Sequence, residues 1–83
     1  MSIYDILAIL IEQVASVSWQ KLGLQHDAIT GKLETNYAEA KVAIDVTASL
    51  VQHLESQLDE EDRRRLNSML RDLRVNYVQK AGH

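Results

Sequence analysis

The chain has 83 residues, is 46% hydrophobic and 25% charged, and carries a net charge of -3, which places it among single globular domains spanning 1–83. It holds no cysteine and no proline. Disulfides, thiolate metal sites and cysteine nucleophiles are excluded, and no helix contains a built-in breaker.

The first helix is expected over about 2–22. Ser2 and Asp5 have the spacing of a capping box, and Gly23 supplies a left-handed stop. The first residues lack the basic start and cleavage site of a signal peptide. The apolar run Ile6–Ile11 is far shorter than the roughly 20 residues of a membrane span. A cytoplasmic protein with no membrane span is therefore expected. Projected at about 100° per residue, the apolar side chains of this helix cover roughly 220°, whereas a helix lying on one core needs a stripe little more than about 100° wide. One flank carries Ile3, Ile6, Leu7, Leu10, Val14 and Val17. The other carries Tyr4, Ala8, Ile11, Ala15, Trp19 and Leu22. One helical hairpin does not shelter both flanks, so the first flank is expected to pair with a second copy of the chain. Ala8 and Ala15 are expected to permit close approach there.

The segment 23–35 is expected as a loop, with a turn at Thr30-Gly31 and with Ile29 and Leu33 tacking it to the core. A second helix is expected over about 36–56, capped by Asn36 with Glu39 three residues on. Its seam is Tyr37, Ala40, Ile44, Thr47, Val51, Leu54 and Leu58. A third is expected over about 60–80, capped by Asp59, with Glu60, Glu61 and Asp62 at its positive end. Its seam is Leu66, Met69, Leu70, Leu73 and Tyr77. The short joint between them makes these two an antiparallel hairpin. The fold class is all-α, three helices, assembling as a homodimer or higher homo-oligomer.

Motifs for chemistry are sparse. Thr30-Gly31-Lys32 lacks the glycine spacing, the following hydroxyl and the preceding strand of a phosphate loop. His26, His53 and His83 have no converging ligand set, so no metal and no cofactor is expected. No catalytic triad or carboxylate pair stands out, and the chain reads as a non-enzyme. Residues 1–62 carry three basic and eleven acidic side chains, and 63–83 carry six and one. Arg63, Arg64, Arg71 and Arg74 form a candidate basic contact face on the third helix. Without interleaved aromatics, and with an acidic chain overall, nucleic acid is not the expected partner. It stays open as an alternative, in the form of a ribosome-associated or RNA-binding accessory role. Val75 and Val78 near the same face leave room for another protein. A small-molecule site built from Trp19, His26 and Lys32 is a further alternative.

The stretches Ala15–Leu24, Thr30-Gly31-Lys32, Ala40–Asp45 and Leu73–Val78 together resemble the bacterial domain-of-unknown-function family numbered 1844. The resemblance covers nearly the whole chain. It implies a small bacterial helical protein and brings no activity with it. Asp45 and Arg74 lie beside seam positions Ile44 and Leu73, and a structural ion pair between them, within a chain or across a dimer, is expected to set helix register.

Overall fold

The computed structural model describes residues 1–82; His83 lies outside the described residues. Three helices follow one another: α1 (Ile3–Lys21), α2 (Tyr37–Leu54) and α3 (Glu60–Ala81). Each begins where a side chain satisfies free first-turn amides. The Asp5 amide donates to Ser2 Oγ at 3.3 Å, and the Ser2 amide donates to Asp5 Oδ2 at 3.0 Å, closing the capping box. The Glu39 amide donates to Asn36 Oδ1 at 3.1 Å, and the Asp62 amide donates to Asp59 Oδ1 at 2.8 Å. The second helix stops short of its expected end, because Glu55–Gln57 tighten into one 3-10 turn before Asp59 restarts the chain.

Two clusters fix the arrangement. Ala15 and Leu22 of the first helical arm meet Ala40, Ile44 and Leu73. Ile11 meets Val51, Leu54 and Leu70. The start of α1 therefore lies beside the end of α2 and the start of α3, which gives an up-down-up bundle. The more extensive contact is between α1 and α2, not within the α2–α3 hairpin. The reason is residue size: Ala15, Ser18, Ala40, Ala43 and Thr47 are all buried and bring the two axes close. Ala15 thus serves this internal seam rather than contact with a second copy, and Ala8 is exposed. The two buried hydroxyls bond within their own helices. Ser18 Oγ donates to the Val14 carbonyl at 3.0 Å and Thr47 Oγ1 to the Ala43 carbonyl at 2.7 Å.

The α1–α2 loop is stitched at its base. The Asn36 amide donates to the Lys21 carbonyl at 2.8 Å, and Leu22 bridges Thr35. Gly23 makes this closure possible with φ +79°, where a Cβ would stand 2.5 Å from Thr35 Cγ2. Gly23→Ala is expected to cost about 1–2 kcal/mol, lowering the melting temperature by roughly 4–15 °C at fixed protein concentration. An unchanged melt would show that the closure carries no strain. The loop tip does not tack to the core as expected: Ile29 is 95% exposed and Leu33 is also exposed. Local hydrogen bonds at Asp27, rather than apolar burial, shape this turn.

The bundle is a slab. Its extents are 35 × 27 × 18 Å, the last being about two helix diameters of roughly 10 Å. The Cα radius of gyration of 13.1 Å exceeds the about 12 Å of a compact chain this long.

Candidate functional site

Only one face of the α1–α2 layer is covered. On α1, Ala8 and Glu12 share a groove with Asp62, Arg65 and Leu66 of α3. On α2, Asp45, Ala48 and Gln52 share another with Asn67, Leu70 and Arg74. These edges mark the α3 side. The opposite side presents Ile3, Ile6, Leu10 and Val17, all exposed, with Leu7 and Val14 half-buried at its inner margin. Leu7 leans into the second cluster. Of the six residues expected on the outward flank, Ile3, Ile6, Leu10 and Val17 are exposed, while Ile11, Ala15, Trp19 and Leu22 of the other flank enter the bundle.

The same side of α2 adds Val42 and Val46, both exposed, and half-buried Leu50. Sequence reading overlooked these three. Their spacing of four was a legible signal, outside the seam that had already been assigned. The antiparallel register, with Ile11 level with Val51 and Leu22 level with Ala40, sets Leu10 near Leu50 and Val17 near the Val42–Val46 stretch. Two helices side by side over the about 21 Å from Ile3 to Val17 give a plan area of about 400 Å². Apolar patches of that size are frequently functional. Lys21 and Glu39 border it at one end and pair with each other at 3.8 Å.

The loop folds against the outer edge of α1. Gln25 Nε2 donates to Ser16 Oγ at 2.8 Å, and the Leu24 amide donates to the Trp19 carbonyl at 3.1 Å. A shallow groove of about 600 Å³ runs between Gln13, Ser16, Val17 and Gln20 on the helix and Asp27, Ala28 and Ile29 on the loop. Asp27 organises the tip. Its Oδ1 accepts from the Ile29 amide at 2.8 Å and the Thr30 amide at 2.9 Å. Its carbonyl accepts from the Gly31 amide and its amide donates to the Lys32 carbonyl, both at 2.9 Å. The Thr30 amide first, then that of Ile29, holds the Asp27 carboxyl below the ordinary carboxylate range. A lowered folded value means that these bonds are intact above the ordinary aspartate pKa and fail as pH falls through the folded one. The Ile29 and Thr30 amide resonances are expected to titrate with a midpoint below about 3.9. A midpoint at or above that value would contradict the turn geometry.

Trp19 packs on the first core cluster, while His26 and Lys32 stand exposed on the loop, and none of the three lines the groove. The structure does not bring them together. The basic face is divided. Arg63 donates to the Glu55 and Leu58 carbonyls at the end of α2, and Arg64 pairs with Glu60 at 3.4 Å. Among the described residues Arg71 and Arg74 have no salt bridge, and both are exposed. Asp45 and Arg74 do line one groove, yet the Asp45 carboxylate is bonded to Lys41 at 3.0 Å within the described chain. The neighbouring turn offers a ready i,i+4 partner, and Asp45 raises the pKa of Lys41. Among the described residues no group of three or more His, Asp or Glu is placed to hold a metal ion, and no helix is long and apolar enough to cross a membrane.

A small all-α bundle with an uncharged outer face is the class that this geometry defines. The chain belongs to the family described as "Domain of unknown function (DUF1844)", which matches residues 4–79. No curated protein and no solved structure matches it.

Proposed function

We propose that the chain is a non-enzymatic helical self-association module whose α1–α2 outer face pairs with the same face of a second copy. The observation that carries this reading is the uncharged apolar surface built from Ile3, Ile6, Leu10, Val17, Val42 and Val46 and left open by α3. A second copy fits for three reasons. The chain is acidic over residues 1–62, but the face itself brings no like charges together. The slab is 18 Å thick beside a length of 35 Å, so doubling it across this face gives a nearly isometric particle. A standard interface takes about 800 Å² from each partner; the apolar patch of about 400 Å² forms its centre with polar margins around it, and a two-fold contact uses one patch twice.

Light scattering tests the proposal. The expected mass is twice the 9.4 kDa of the chain, and a 9.4 kDa species at micromolar concentration and above would overturn it. Arg71 and Arg74, exposed beside Val75 and Val78, favour a second reading, contact of α3 with an acidic partner such as RNA. A complex with RNA that weakens as salt rises, and is lost on replacing both arginines, would support that reading.

A further inference from the structure

Two large aliphatic side chains stand outside the apolar face, on the outer edge of α1. Ile9, Gln13, Ser16 and Gln20 follow one another at helical spacing and form one stripe. The chain's own loop flanks the Gln13–Gln20 half of that stripe across a shallow groove. The other half is left with Ile9, which is 47% exposed with Asp5, Glu12, Gln13 and the face residue Ile6 at helical spacing around it. The loop meanwhile presents Ile29 at its tip, 95% exposed. That tip is not slack: both carboxylate bonds of Asp27 and its two main-chain bonds close the turn on itself, and the Gln25–Ser16 bond ties the loop to α1. A rigid turn that holds an aliphatic side chain into water is organised to bury it elsewhere, since little freedom is left to lose on binding.

We infer that, in the two-fold pair proposed above, each loop acts as a clasp that seats Ile29 on the Ile6–Ile9 edge of the second copy's α1. The inference rests on that pairing and adds a second contact to it. A two-fold axis passing near Leu10 and running across the helices sets α1 antiparallel to its twin. The Gln13–Gln20 half of one helix then lies over the Ile3–Ile9 half of the other. The loop of each protomer comes to the half-stripe that the partner's own loop leaves bare, so one operation covers both isolated isoleucines. A two-fold axis running along the helices instead sets α1 over the second copy's α2 and brings Ile29 toward Val42, another exposed side chain.

The absence of cysteine allows a direct test. Ile29→Cys chains are mixed with Ile6→Cys chains, and separately with Val42→Cys chains, and oxidised. A disulfide needs Cα atoms about 4.4–6.8 Å apart, so cross-linking reports only close approach. Covalent heterodimer with Ile6→Cys, and little with Val42→Cys, is expected; the reverse pattern, or none with either, overturns the clasp. In a second arm, Ile29→Asp is expected to raise the dimer dissociation constant about tenfold or more. The helical signal should be unchanged, because the side chain packs on nothing within its own chain. A wild type that is dimeric, that Leu10→Glu dissociates and that Ile29→Asp leaves intact would refute the clasp alone. A monomeric wild type would refute the pairing beneath it.

Discussion

Leu10→Glu is expected to leave a folded helical monomer and to abolish the paired species at micromolar concentration. Leu10 is 42% exposed at the middle of the outer face, so the chain tolerates a carboxylate there in the separate state. In a two-fold pair it lies close to the axis, and the substitution puts two like charges near each other in an interface with no cation to meet them. Burying an unpaired carboxylate costs several kcal/mol, which is comparable to much of the about 8 kcal/mol that a micromolar association supplies. Val75→Glu on α3, at similar exposure, is the matched control and is expected to leave the mass unchanged. A dimer that survives Leu10→Glu would place the contact elsewhere.

Leu73→Ala is expected to give the largest loss of stability in the chain. Leu73 is 0% exposed and joins α3 to Ala15, Leu22, Ala40 and Ile44. Truncating a leucine so placed costs about 2–5 kcal/mol. The whole domain is held by roughly 4–12 kcal/mol at 0.05–0.15 kcal/mol per residue. The lean contact between α3 and the α1–α2 pair offers few neighbours to close the cavity. Denaturant titration should show a midpoint shifted by about a sixth or more of its value, whereas Val78→Ala, on the solvent side, should stay within about 0.5 kcal/mol of wild type. A loss under 1 kcal/mol for Leu73→Ala would mean that α3 is not seated through this residue.

The parts of this fold that were legible in the sequence are those decided within one helical turn or one helix face. Ser2, Asn36 and Asp59 cap because the amides they serve are three residues away. Ile44, Val51, Leu70 and Leu73 are buried because their spacing leaves one side to bury. What distance in sequence hides is harder. Both flanks of α1 are apolar, so only packing reveals that Ile11 and Ala15 turn inward. Val46 and Leu50 belong to the exposed face only once α1 is laid beside them. Asp45 pairs with Lys41 on its own helix, because side chains four residues apart are already neighbours on one helix face. The outward stance of Ile29 was masked by the expectation that aliphatic side chains seek the core, when a polar turn can overrule one of them.

The inward hydroxyls of Ser18 and Thr47 carry a consequence for how this molecule varies through descent. Each is content with a carbonyl of its own helix, so neither these side chains nor the apolar ones around them give the seam between α1 and α2 a polar lock. Bulk alone sets the allowed alphabet at these places. Serine and alanine are expected to exchange at position 18 with little penalty, while any larger residue there forces the two rods apart and lifts α3 from its seat.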